Sequence, residues 1–505
     1  MTPPELQQLR ARLAEITDLQ ALGSLMFWDQ NTMMPPGGAG ARADMADTLQ
    51  RTLHARETDP ELGRLLDALE PWAAGEDPDA DAARMIHWAR RDFEKSVRVP
   101  ADLAAQMTRA KATGLQAWME ALAASDYTRF RDALARHIEL RHAYVTCFDG
   151  HEHPYDVLLD DFEPGLTTAE LRPMFAELRD ALVPLVAATG DPRQARNDGV
   201  FHGPFGVDTQ RAAVLDLLDA LGYDPDHWRL DPSLHPFAQS LAPTDVRLTT
   251  KYDEHDYAVA LYSVLHEFGH GLYEASVDPD LTRTNLAEPV SLGVHESQSR
   301  LWENIVGRSR PFSAYLLPQL RRQFPGHFDA VDANTLYRAV NTVQPSLIRI
   351  EADETTYNLH IILRFELELA LIEGMLSVDD VPAAWNEAVE RLFGIEVPTD
   401  AEGVLQDTHW GGGLIGYFPT YTIGNLMAAQ LWERVETDVP DVWERIEGGD
   451  FAALREWLRV HVHHHGRKLY PRELLARVTG EELRVEPFVT YLRAKLEDAG
   501  LLATA

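Results

Sequence analysis

Two histidines stand four residues apart in VLHEFGHGLYE (residues 264–274), with a glutamate directly after the first. On a helix, His266 and His270 project from one face, one turn apart. That spacing lets both imidazoles reach one tetrahedral Zn²⁺ at roughly 2.0–2.1 Å. Glu267 lies about 100° round the same helix, beside such an ion rather than on it. There it can activate a zinc-bound water, whose pKa the ion lowers towards about 7, and so supply a nucleophile at neutral pH. The chemistry is hydrolysis. A five-residue match is weak by itself in a chain with 20 histidines, because a helix with two unrelated histidines reads the same way.

A catalytic zinc needs a third protein ligand and an open fourth position. GLYEASVD follows His270, so no third histidine extends the motif. VHESQSRLWENIVG (294–307) offers Glu296, Arg300 and Glu303 at helical spacing, after the loop DPDLTRTNLAEPVSLG. Glu296 is the preferred third ligand. Its rival is His295, adjacent in sequence but facing another direction on a helix; Glu303 paired with Arg300 is the plain account of the rest. A second cluster, HVHHHGRK (461–468), also places two histidines four apart but has no glutamate where a base is needed. A solvated helix end before Gly466 is the simpler reading there.

Positioning these groups requires helices, and helical periodicity dominates. PELQQLRARLAEITDLQALGSLM, AELRDALVPLVAAT, TQRAAVLDLLDALG and TTYNLHIILRFELELALIEGML carry apolar residues three and four apart. Gly222 and Pro100 read as helix stops. Strand-like alternation is scarce; its best case is DVRLTTKY (245–252), which predicts a short hairpin with HPFAQSL just before the HEFGH helix. GEDPDAD and GDPRQARNDG read as surface loops. No repeat or linker divides the chain, so residues 1–505 are expected to form a single domain, mainly α with a small β-sheet beside the site.

Composition narrows the class. With 45% apolar and 25% charged residues, the chain reads as folded and soluble. A net charge of −34 repels phosphate backbones and anionic lipid, which argues against nucleic-acid and membrane partners. One cysteine, Cys147, excludes an intramolecular disulfide and multi-thiolate metal sites. The N-terminal segment reads as an amphipathic helix without the basic start and apolar core of a secretory signal, and no apolar run is long enough to span a bilayer. A cytoplasmic protein is expected.

With HEFGH and HESQ located, the chain resembles the M32 family of metallocarboxypeptidases. Other signatures stand in order as HPF (His235–Phe237), DVRLT (Asp245–Thr249), IRIEAD (Ile348–Asp353) and GVLQDTHW (Gly403–Trp410), and WDQNTMMP and YDVLLDDFEPG extend the likeness over nearly the whole chain. The resemblance implies a large, almost all-α body with a deep central groove, similar to angiotensin-converting-enzyme and neurolysin-type peptidases. It implies broad-specificity release of one C-terminal residue per cycle, zinc or in some members cobalt, and a homodimer.

An exopeptidase of this kind must recognise a free carboxylate, and the planar fork of Arg is suited to it. Arg349 in IRIEAD is the first candidate, although an intrahelical pair with Asp353 is an equally natural use of it. Arg247 in DVRLT is the second, at a closed groove end, and His235 in HPF joins them as a substrate-binding candidate. QDTHWGGGLIGYFPTYTIGN (406–425) supplies His409, Tyr417 and Tyr421, any of which could donate to the oxyanion; losing one such donor costs about 10²–10³ in rate. The two tyrosines are not distinguishable here, and two core aromatics four apart would look the same. Gly411–Gly413 could let the segment move as substrate enters. An edge strand at DVRLTTKY could bind an extended peptide by strand addition.

Overall fold

A computed structural model describes residues 3–189 and 198–502; most of the GDPRQARNDG loop lies outside the described residues. The architecture is mainly α with one three-stranded sheet, as expected. The chain folds as two compact units, each drawn from three separate stretches. The first comprises Met1–Val97, Asp198–Tyr337 and Leu431–Glu482, and the second Arg98–Asn197, Arg338–Gln430 and Leu483–Ala505.

In the first unit, helix α1 (Pro4–Thr32) buries Leu6, Leu9 and Leu13, the stripe its three- and four-residue spacing predicts. The sheet follows: β1 (Trp228–Pro232), β2 (Ala238–Ala242) and β3 (Asp245–Thr250), in the order β1-β3-β2. The β2–β3 pair is the expected antiparallel hairpin, whereas β1 pairs with β3 in parallel, Leu230 opposite Leu248. DVRLTT is thus the central strand with both edges occupied, and strand addition to it is ruled out. Its non-local partner, HWRLDP, is too short to announce itself by alternation.

Val246 and Leu248 point from β3 towards helix α2 (Tyr257–Ala275), which carries HEFGH. Asp256 caps α2, its carboxylate accepting the Ala258 N–H at 2.9 Å. Two glycines let neighbours approach this helix. A Cβ on Gly271 would lie 2.8 Å from Leu248 and 2.9 Å from Val246. One on Gly269 would lie 2.4 Å from the Gln298 carbonyl, on helix α3 (Leu292–Arg300). Sheet, α2 and α3 therefore stack at a separation only glycine permits. Ser291 caps α3, and one π-helical turn, Leu301–Val306, continues it.

In the second unit, helix α4 (Glu354–Ile372) is buried on almost every face, and Asp353 caps it by accepting the Thr355 and Thr356 N–H groups. Gly222 and Pro100 stand where helix stops were expected, in the first and second units respectively. No described helix is long and apolar enough to cross a membrane.

Candidate active site

The close stacking of α2 on α3 brings together three side chains of the first unit whose types can ligate a metal ion. His266 Nε2 and His270 Nε2 lie 3.6 and 3.5 Å from the same oxygen of Glu296, and one ligand atom from each residue lies within 4.8 Å of the others. Both contacts are longer than a well-formed N–H···O bond, at about 2.7–3.2 Å. They are close to the roughly 3.3 Å that separates neighbouring donors around a tetrahedral zinc. Two imidazoles and a carboxylate are also a donor set of hydrolytic zinc sites, so the residues present fit the ion.

The surroundings tune this set. Burial raises the Glu296 carboxyl, but Arg300 and the two imidazoles outweigh it and hold the group well below the usual range; Arg300 Nε donates to Glu296 Oε1 at 2.6 Å. Burial also lowers His266, yet Glu296, Glu303 and Glu267 together lift it to about 9. His270 goes the other way, to about 3, through burial and the neighbouring His295. Glu267 is 5% exposed, and burial raises its carboxyl to about 7, where it can both accept and return a proton.

His295 is not part of the cluster: its Nε2 lies 3.1 Å from Glu274 and its ring stacks 4.1 Å from that of His270. Glu303 does more than pair with Arg300. It accepts the His266 Nδ1–H at 2.9 Å and lies 3.3 Å from both Arg300 and Arg308. This fixes which His266 nitrogen faces the cluster. The seven-residue step from Glu296, which returns a helix to nearly the same face, was the available signal. His463, expected at a solvated helix end, is fully buried against Tyr273 and 2.8 Å from Gln298.

Around the sheet, Arg247 makes two bonds to Asp245 (2.9 and 3.0 Å) and lies 4.4 Å from the centre of the Trp28 ring, which Arg229 also covers at 4.6 Å. The HPF loop is tied to DVRLT by Thr249. Its N–H donates to the Phe237 carbonyl at 2.9 Å, and its hydroxyl accepts the Phe237 N–H at 2.7 Å. His235 stands exposed on that loop.

The second unit gathers the other candidates. Arg349 does not pair with Asp353, which is occupied as a helix cap; it turns instead to Asp407, 2.7 Å away. Arg364, fully buried, donates through Nε to the other oxygen of Asp407 at 2.6 Å. Two guanidiniums thus share one carboxylate, which they hold far below its usual pKa despite burial. Arg349 also donates to the Tyr357 hydroxyl at 2.9 Å and lies 5.0 Å from the Tyr421 ring centre. His409 Nε2 is 3.2 Å from the Tyr421 hydroxyl, and burial pushes His409 down to about 3, so its ring stays neutral. Tyr417 packs 5.2 Å from the His409 ring. Asp407 and Arg364 were not anticipated; Asp407, two residues before His409 in GVLQDTHW, was the legible one.

The carbonyls of the glycine run, the segment expected to let substrate enter, are bonded to neighbouring side chains. Arg141 donates twice to the Gly413 carbonyl (3.0 and 2.6 Å), and His137 Nε2 lies 3.1 Å from that of Gly411. Gly413 and Gly416 have φ of 71° and 93°, so here glycine supplies conformation and close approach.

Comparison with known proteins places the chain in a family. The model of the family "Carboxypeptidase Taq (M32) metallopeptidase" matches residues 8–496. The chain is 41% identical to thermostable carboxypeptidase 1 of Thermus thermophilus, covering 98% of this chain and 99% of that one. It is 37% identical to carboxypeptidase 1 of Bacillus subtilis over 97% of both. Among solved structures, the M32 carboxypeptidase from Deinococcus radiodurans R1 superposes with a TM-score of 0.94 at 41% identity, covering 99% of this chain and 100% of that one. A Pyrococcus furiosus carboxypeptidase gives 0.94 at 33%, over 98% and 99%. A family model over almost the whole chain and relatives of about this identity and coverage agree: the chain belongs to the M32 metallopeptidase family and is a metal-dependent carboxypeptidase.

Proposed function

We propose that His266, His270 and Glu296 hold a zinc ion, for which cobalt can substitute, and that Glu267 is the general base. The observation that carries this reading is the convergence of the three ligand atoms beside a buried glutamate whose carboxyl is raised to about 7. Zinc bound there would supply Lewis acidity and a water of lowered pKa. The Glu267 carboxylate takes the proton of the attacking water and returns it to the leaving amine. Glu303 holds His266 Nδ1 so that Nε2 faces the ligand cluster.

Arg349 is the residue that recognises the substrate's end in this reading. Arg349 and Arg364 share a single carboxylate, which leaves one buried positive charge in excess. The terminal carboxylate of a peptide would balance it, at Arg349. His409, Tyr421 and Tyr417 are the oxyanion donors, and the His409–Tyr421 contact of 3.2 Å favours that pair acting together. Arg247 and His235 are further substrate-binding residues, His235 as the more accessible of the two. We read residues 1–505 as a single catalytic domain of broad specificity, acting as a cytoplasmic homodimer. The single cysteine suits a reducing compartment.

The test is a mass-spectrometric time course on one unstructured peptide and its C-terminally amidated copy, with Glu267→Gln beside the native enzyme. One-residue losses are expected from the free acid alone, and none from the variant. Losses in pairs or internal cuts would replace this reading by a dipeptidyl-carboxypeptidase or oligoendopeptidase. No cleavage with the metal bound would favour a peptide-binding scaffold.

A further inference from the structure

Glu368 on α4 is fully buried, yet no cation forms a hydrogen bond to it among the described contacts. Oε1 accepts the Trp410 Nε1–H at 2.8 Å; Oε2 accepts the Gly416 N–H at 2.9 Å and the Tyr155 hydroxyl at 2.7 Å. A carboxylate is among the costliest groups to bury, and three neutral donors only partly offset that cost. Its placement is informative. Trp410 follows His409 directly, and Gly416 directly precedes Tyr417. The two donors therefore close both ends of the 410–416 loop onto one side chain, while His137 and Arg141 hold the carbonyls between them. Glutamine could not replace Glu368 without loss. It offers one acceptor oxygen, and its NH₂ would face either the indole or the Gly416 N–H.

We propose that Glu368 is a positioning residue for catalysis, setting where His409 and Tyr417 stand by gripping the chain beside each. The inference rests on the reading of His409, Tyr417 and Tyr421 as oxyanion donors. A group displaced by about 1 Å can cost about 10²-fold in rate, so a lost grip should show in turnover before it shows in binding.

The experiment compares native enzyme with Glu368→Gln, Trp410→Phe and Tyr155→Phe, all metal-loaded and normalised to folded protein. Glu368→Gln is expected to lower kcat about 10- to 100-fold with KM within about threefold, and to weaken a phosphonate peptide, which mimics the tetrahedral intermediate, by a similar factor. Trp410→Phe, which removes the indole donor together with part of a buried ring, should show a smaller loss of the same kind. Tyr155→Phe cuts the contact that does not touch the loop; it should lower the melting temperature and leave kcat within about threefold. If Glu368→Gln does not fold, Trp410→Phe alone decides: native kcat and native phosphonate affinity in it overturn the proposal. Native values in a folded Glu368→Gln do the same. His409→Gln, Tyr417→Phe and Tyr421→Phe are measured alongside. Native kcat in all three would overturn the oxyanion reading and this proposal with it, a result distinct from native kcat in Glu368→Gln alone.

Discussion

At the scale of single residues, the site depends on groups that hold other groups. Glu303 accepts the Nδ1 proton of His266, and an anionic partner there makes the other ring nitrogen a better ligand. Glu303→Gln should weaken metal binding about 10- to 100-fold; titrating the apoenzyme with zinc against a competing chelator would read this, and unchanged affinity would remove Glu303 from the site. Asp407 is the sole carboxylate bonded to both Arg349 and Arg364 among the described contacts. Asp407→Asn would leave two buried guanidiniums uncompensated, with an expected destabilisation of about 3–5 kcal/mol, measurable by denaturant unfolding. These pairings explain what was legible. His266, Glu267, His270 and Glu296 could be singled out because helical spacing places them; Arg349's partner lies 58 residues away and no periodicity points to it.

At the scale of elements, close approach matters more than propensity. The helix of HEFGH and the β2–β3 hairpin were readable because periods of 3.6 and 2 are local properties of the chain. The pairing of β1 beside β3, the burial of His463 and the pinning of the glycine run were not, since each is set by a distant segment. Gly269→Ala tests the stacking of α2 on α3. Its Cβ would meet backbone at Gln298 and Ser299, so the helices must part. A loss of at least about 1–3 kcal/mol is expected, with weaker metal binding, because Glu296 rides on α3. Glu368 gives a pH dependence. Burial raises its carboxyl to about 7, against an ordinary 4.5, although its three donors pull it down. Between those values the folded chain binds more protons than the unfolded one, so this group's contribution to stability falls as pH rises from about 4.5 to 7 and levels off above. The slope of melting temperature across that window should shrink in Glu368→Gln; an unchanged slope would assign it to other groups.

For the whole molecule, charge dominates. A net charge of −34 surrounds a site that takes peptides ending in a carboxylate. Long-range repulsion should slow acidic peptides relative to basic ones of equal length, and salt should narrow the gap as the Debye length falls from about 30 Å at 0.01 M to about 8 Å at 0.15 M. The kcat/KM ratio of a matched Glu-rich and Lys-rich pair, followed across that range, checks this; a ratio indifferent to salt would confine discrimination to contacts inside the site.

The discontinuity of both units has a consequence for how the enzyme is made. The HEFGH helix leaves the ribosome well before the stretch that completes its unit, Leu431–Glu482, and the other unit waits for the residues that follow it. At about 5–20 residues per second, the ligands are exposed for roughly ten seconds or more before their scaffold is whole. Nascent chains arrested at residue 430 should therefore be cut readily by protease and bind divalent metal poorly, whereas the released chain should resist and bind it. That outcome would make metal acquisition an event that follows the folding of the whole unit, and would leave a half-made hydrolase inactive beside the peptides still emerging around it.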